Sequence, residues 1–280
     1  MKNIVLYICL AISCTLAAQT VDDDPQQQSP PPFHFDIDEE EQEPVVDPHE
    51  WADSTLLHAD SLSVFTSLTE EDYREVAEEL GIETAVIKAV VDIEAGKKRE
   101  GFWMPYKPLI NFDLSMYRKF APRSGVSLTK AKKRKPVIFS RPDVKRYGSY
   151  QGGQYARLEA ACEIDSVSAM ESTFWGMFQI GGFNWRKCGM ESVMDFVKEM
   201  SRSERRQLEL FARFITASGM LNDLKNKKWL SFALKYNGPK AKSRGYHKRL
   251  AAAYKRHAAE EKSRNKEIEK QEVRALEVKQ

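Results

Sequence analysis

Apolar and polar positions repeat with helical spacing over much of the chain, and residues 81–96, GIETAVIKAVVDIEAG, show it most clearly. Val86, Ala89, Val90 and Ile93 recur at three/four spacing and predict a short helix with a core-facing stripe. Glu94 follows Val90 by four residues and Val91 by three, so it projects from the edge of that stripe. Gly96 is expected to end the helix in a left-handed conformation. A carboxyl group at such an end, beside apolar packing, is desolvated, and desolvation raises its pKa. A general acid needs this property, because it must still hold its proton near neutral pH. Taken alone, the stretch is more commonly an ordinary solvated glutamate at a helix end; motifs further along change that balance.

Other segments repeat the helical period. Thr69-Glu70-Glu71-Asp72 resembles a capping box opening a helix that runs to Leu80, with Val76 and Leu80 on one face. Helices are expected over 154–162, 167–172, 192–200, 203–218 and 221–236, the fourth carrying Leu208, Phe211, Phe214 and Ile215. Residues 51–68 have apolar positions but no period. Residues 100–150 are rich in Pro, Gly and aromatics, and their basic run 130–135 reads as a solvated loop. After Leu250 the chain is rich in Ala, Lys and Glu and predicts an exposed, frayed helix, with residues 257–280 as a charged tail. The fold class expected is mainly α, with one folded domain over 69–256. The roughly 200 residues available suffice for a single core.

The first 50 residues differ. Lys2, the apolar run 4–16 and Ala17-Ala18 form a signal-peptide pattern over 1–18, too short for a comfortable transmembrane helix. Export to the periplasm or medium is therefore expected. Lipoprotein processing at Cys14 is the weaker alternative, since Ala11 stands where a larger aliphatic residue belongs. Residues 19–50 hold 11 acidic residues and no Lys or Arg, and read as a disordered acidic linker. Residues 51–280 then carry 42 basic and 30 acidic residues, which favours an anionic partner. Nucleic acid, a membrane surface or a cell-wall polymer fits the charge, and the export signal argues against nucleic acid. The acidic linker is a candidate competitor for the same basic surface.

Outside the signal segment only Cys162 and Cys188 remain, either as one disulfide or as two buried thiols. The histidines, His34, His49, His58, His247 and His257, lack metal-ligand spacing. No cofactor or metal is expected.

Two later stretches carry polar groups in unusual settings. In Phe174-Trp175-Gly176-Met177-Phe178-Gln179-Ile180, a single amide lies within an aromatic run, beside a glycine that permits close backbone approach. Aromatic faces with one amide suit a sugar-binding cleft, although core packing with Gln179 satisfied internally fits as well. Tyr236-Asn237-Gly238-Pro239 is a turn after a helix with two polar side chains at its mouth, or an ordinary helix stop.

In this order, Glu94, Gly176–Ile180 and Tyr236–Pro239 resemble the catalytic glutamate, the "GLMQ" motif and the "YN-G" motif of lytic transglycosylases and goose-type lysozymes. More narrowly, residues from about 80 to 256 resemble the N-acetylmuramidase domain of phage endolysins and bacterial wall enzymes. Matching pieces include Lys107-Pro108-Leu109-Ile110-Asn111-Phe112-Asp113, Tyr155-Ala156-Arg157-Leu158, Trp175–Ile180, Phe232–Pro239 and Gly245-Tyr246-His247-Lys248-Arg249-Leu250. The resemblance implies a lysozyme-like helical fold and cleavage of the β-1,4 bond between N-acetylmuramic acid and N-acetylglucosamine in peptidoglycan, by a monomer. It implies Glu94 as general acid and Asp113, where the family has a glutamate, as second carboxylate. Gln179, Tyr236, Asn237 and Trp175 are expected to contact the glycan. A lytic transglycosylase and a non-catalytic wall-binding protein are the rival readings.

Overall fold

The computed structural model describes residues 67–95 and 100–278. The expected signal segment and acidic linker, most of the 51–68 lead-in and Gly96 lie outside the described residues. The described part is mainly helical, with twelve α-helices and five short strands.

Helix α1 (Glu70–Leu80) begins as its sequence predicts. Thr69 accepts from the Asp72 N–H, Asp72 accepts from the Thr69 N–H at 2.7 Å, and Gly81 closes the helix at φ 62°. Helix α2 (Thr84–Glu94) is the centre of the fold. Every residue from Ala85 to Val91 is buried, so this helix is enclosed rather than laid on a core by one face. Its one internal cation, Lys88, places Nζ 2.7 Å from Glu70 Oε1 on α1, which offsets the cost of burying the ammonium. The helix ends at Glu94, and Ala95 follows with right-handed backbone.

Residues 100–150 hold three strands and three short α-helices. Strands β1 (Phe102–Met104) and β2 (Lys107–Pro108) make an antiparallel hairpin. Strands β3 (Ile110–Phe112), β4 (Thr173–Trp175) and β5 (Ile180–Gly181) make a three-stranded antiparallel sheet, with Ile110 opposite Trp175 and Phe112 opposite Thr173. The other edge of β3 is covered by side chains of α6 (Tyr150–Cys162). Gln151 exchanges hydrogen bonds with Ile110 N–H (3.0 Å) and C=O (3.2 Å), and Gln154 accepts from Phe112 N–H at 3.2 Å. Two glutamines thus do for this edge what another strand would do. Helices α3 (Leu114–Phe120), α4 (Leu128–Arg134) and α5 (Val144–Tyr147) intervene, so the basic run 130–135, expected as a loop, lies mostly on a helix capped by Ser127.

The remaining helices are α7 (Ser166–Glu171), α8 (Val193–Met200), α9 (Glu204–Ala217), α10 (Leu221–Lys225), α11 (Trp229–Asn237) and α12 (Tyr246–Val278). Ser192 and Ser203 cap α8 and α9, which keeps both within about a residue of their expected bounds. The single helix expected over 221–236 is instead two, broken where Lys227 takes a left-handed φ of 52°. Helix α12 also departs from expectation. Tyr246, Leu250, Ala253 and His257 are buried at helical spacing against the body, and its N-terminal half packs along α2. His257 Nε2 lies 2.6 Å from Asp92 Oδ2 of α2, and Arg264 pairs with Glu70 at 2.6 Å. Only the later turns are exposed. Cys162 and Cys188 are free thiols rather than a disulfide, and burial pushes each up to about 12. Among the described residues no helix is long and apolar enough to cross a membrane.

Candidate active site

The three motifs meet in space. Glu94 is the last residue of α2, and Asn237, the last residue of α11, donates from Nδ2 to Glu94 Oε1 at 2.9 Å. Gly238 takes φ 73°, a conformation that favours glycine and ends α11 immediately after this contact. The neighbouring Tyr236 donates its hydroxyl to the Phe178 carbonyl at 2.6 Å, in the turn between β4 and β5. Adjacent residues of one helix end therefore reach both the acid and the Gln179 turn.

Glu94 as a residue is half-buried, but its carboxyl is packed in protein, and burial raises it from 4.5 to about 7. The Asn237 hydrogen bond and the positive charge of Arg249 on α12 pull the other way and do not cancel that effect. Its place at a helix C-terminus, the negative end of the helix dipole, adds a further disadvantage for the anion. The group is thus poised to hold or give a proton near neutrality.

The Gln179 turn is strained and specific. Gly176 and Gln179 both take positive φ, 69° and 47°, and the Gln179 N–H closes on the Gly176 carbonyl at 3.0 Å. The side-chain Nε2 donates to the same carbonyl at 2.8 Å, while its Oε1 is buried without a partner. An unpaired buried acceptor is costly, and one retained in a turn tied to the helix end that holds the candidate acid points to a functional role.

Two of the expected glycan contacts are corrected. Trp175 is fully buried and donates Nε1 to the Met170 carbonyl at 3.1 Å, so it is core and not cleft wall. Tyr236 is 4% exposed with its hydroxyl occupied, and stacks on Phe232; its role is to tie the turn to α11. Phe178 is also core, stacked 4.3 Å from Phe211.

Asp113 is held by its own helix. It is the N-cap of α3, where its Oδ1 accepts from Ser115 N–H (2.7 Å), Ser115 hydroxyl (2.6 Å) and Met116 N–H (3.0 Å). It follows β3 at the end away from Leu109, whose carbonyl lies 3.4 Å from Gln179 Nε2. Four residues of extended chain, about 13 Å, separate those two positions.

Sequence reasoning missed a buried pair on α9. Gln207 accepts from Met177 N–H at 2.8 Å and donates to the carbonyls of Gly101 (3.2 Å) and Met200 (3.0 Å). Glu204, one turn earlier, accepts from Gly101 N–H at 2.8 Å. Together they hold Gly101 by both backbone groups and anchor the turn that carries Gln179. A side chain at Gly101 or Gly176 would press within 2.6 Å of the Gln207 amide. The signal was present: Glu204, Gln207, Leu208, Phe211 and Ile215 share one helical face, and the first two are polar.

A model of the N-acetylmuramidase family matches residues 83–258, an interval that takes in all of these groups. The chain belongs to the N-acetylmuramidase family. It is accordingly a lysozyme-like glycoside hydrolase. Among solved structures it is similar to the crystal structure of the Burkholderia AP3 phage endolysin, with 34% sequence identity, a TM-score of 0.57, and 69% of this chain and 71% of that chain covered. No match was found among curated proteins. The family interval ends at Ala258, next to His257, the last of the α12 residues buried against the body. Among the described residues no group of three or more His, Cys, Asp or Glu side chains is placed to hold a metal ion.

Proposed function

We propose that the chain cleaves the β-1,4 bond between N-acetylmuramic acid and N-acetylglucosamine, with Glu94 as general acid. The observation that carries this reading is the Glu94 carboxyl itself: burial raises it to about 7, Asn237 holds one oxygen, and the unpaired Gln179 acceptor belongs to the same motif cluster. Protonated Glu94 gives its proton to the leaving glycosidic oxygen as positive charge develops on the sugar ring. The Gln179 turn forms part of the wall that meets the glycan, and Asn237 keeps the acid aimed. Asp113 acts as the second carboxylate through Oδ2, the oxygen its capping bonds leave unused. The protein works as an exported monomer, released from its signal segment after Ala18.

A lytic transglycosylase is the second reading, because Asp113 is already committed to capping α3 and transglycosylation needs one carboxyl only. Mass spectrometry of digested peptidoglycan separates the two. New reducing ends are expected; 1,6-anhydro ends would replace the hydrolase reading with the transglycosylase, and no released fragments would leave a binding protein.

A further inference from the structure

The basic surplus of residues 51–280 is not spread over the surface. Between residues 114 and 148 stand eleven basic residues and one acidic residue, Asp143. The rest of 51–280 holds 31 basic and 29 acidic residues and is close to neutral. Nearly the whole surplus therefore belongs to the α3–α5 region.

The cations of this region differ from those elsewhere in how they are used. Arg205 on α9 bonds to Asp72, Glu75 and Glu209; Arg206 bonds to Glu199 and Glu209; Lys88 and Arg264 share Glu70. In the α3–α5 region only Lys135 forms an ion pair among the described residues, with Glu163. Lys130, Lys132, Lys133, Arg134, Arg141 and Lys145 are exposed. Their mutual repulsion is relieved by no ion pair among the described residues other than that of Lys135. Asp143, the sole acid, accepts from the Arg146 N–H as the cap of α5. The region starts directly after Asp113 and so is covalently joined to the sheet that carries the Gln179 turn.

We propose that α3–α5 is an exosite for the carboxylates of the peptidoglycan stem peptides, held while the Glu94 site engages the glycan. The inference rests on the peptidoglycan reading above and adds to it a second point of attachment. The polymer repeats carboxylates along each strand, and like-signed cations gathered in one region attract them over a screening length of about 8 Å. The glycan backbone alone offers no comparable density of anionic groups.

The test uses the full chain carrying Glu94→Gln, so that binding is read without turnover, with and without Lys130→Gln, Lys132→Gln, Lys133→Gln and Arg134→Gln together. Gln keeps good helix propensity in α4, and circular dichroism checks the fold. Co-sedimentation is measured on intact sacculi and on sacculi whose carboxylates have been capped as neutral amides with carbodiimide and ethanolamine. At low salt the quadruple variant should bind intact sacculi about tenfold more weakly, and carboxylate capping should weaken the unsubstituted surface by a similar factor. The variant should then be nearly indifferent to capping. With Glu94 restored, the quadruple variant and the unsubstituted chain should degrade capped sacculi at the same rate. Equal binding of both proteins to intact sacculi would overturn the exosite, as would an equal loss on capping for both, which would place the carboxylates elsewhere. Tighter binding to polyphosphate than to intact sacculi would overturn the choice of carboxylate. Failure of the unsubstituted chain to degrade either form of sacculi would count against the catalytic reading and leave the binding comparison intact.

Discussion

The end of α2 and the start of α3 each carry a carboxyl group, and their settings are opposite. Glu94 lies at the C-terminus of a buried helix, where backbone carbonyls point toward it, and Asn237 donates to one of its oxygens. Asp113 lies at the N-terminus of a short helix, where three donors converge on one oxygen. Helix polarity helps an anion at one site and opposes it at the other. Two side chains of the same chemistry are thus sorted by position, one toward giving a proton and one toward accepting hydrogen bonds.

The largest expected effect tests the first half of that contrast. Glu94→Gln should lower peptidoglycan degradation by about 10²–10⁴-fold at unchanged helicity, since the amide cannot donate a proton as an acid. Clearing of sacculi at close to the original rate would remove Glu94 from the mechanism. The same variant should show its other face in stability. With the carboxyl raised from 4.5 to about 7, the native state is most favoured below pH 4.5, and that advantage is lost as pH rises through 7. Above pH 7 the buried anion costs up to about 3 kcal/mol. Chemical denaturation should find Glu94→Gln more stable than the original at pH 8 and equal to it at pH 4.

Next in size is the anchor of the turn. Gln207→Leu leaves the Met177 N–H and the carbonyls of Gly101 and Met200 without their partner, and should cost about 1–3 kcal/mol of stability. If Gln207 positions the Gln179 turn, kcat should fall more than KM rises at a temperature where the variant is fully folded. A stability loss with unchanged kinetics would restrict it to a packing role.

A smaller shift is expected from Asn237→Ala. The Asn237 hydrogen bond lowers the Glu94 pKa, so its removal should move the alkaline limb of the pH–rate profile upward. A downward move would mean that Asn237 stabilises the protonated form instead.

The smallest structural effect is at Asp113. Asn caps helices as well as Asp does, so Asp113→Asn should keep stability within about 0.5 kcal/mol, whereas Asp113→Ala should lose about 1 kcal/mol. Because the cap survives in Asp113→Asn, any fall in its activity reports the lost charge. Unchanged activity would reduce Asp113 to its capping role and favour the one-carboxyl transglycosylase.

The contrast also marks what sequence could convey. Helix starts were legible where a side chain caps its own backbone: Thr69, Ser192 and Ser203 each announce a start within the next residue. Glu94 and the Tyr236-Asn237 pair were legible as motifs. Their mutual contact was not, because it joins positions 143 residues apart. Strands of two or three residues are too short to show a period of two, so none of β1–β5 is expected from the sequence. The break at Lys227 has no glycine or proline to signal it. Helix α12 looked frayed because the groups that fix it, Asp92 and Glu70, lie in α1 and α2. Trp175 was misplaced for the opposite reason: an aromatic beside a glycine-rich turn suits a cleft or a core equally well in one dimension.

Helix α12 has a practical consequence. Among the described residues Arg264 is the last whose ion pair ties the helix to the body, and residues 265–274 are exposed. The fourteen residues from there to Val278 rise about 20 Å at 1.5 Å each. A fluorescent protein or affinity handle joined after Val278 would ride on this charged rod, clear of the acid and of the Gln179 turn. The same handle inserted just before Thr69 would crowd the capping hydrogen bonds of α1, whose Glu70 holds both Lys88 and Arg264. For immobilising the enzyme on a solid support, the C-terminal side is therefore the better point of attachment.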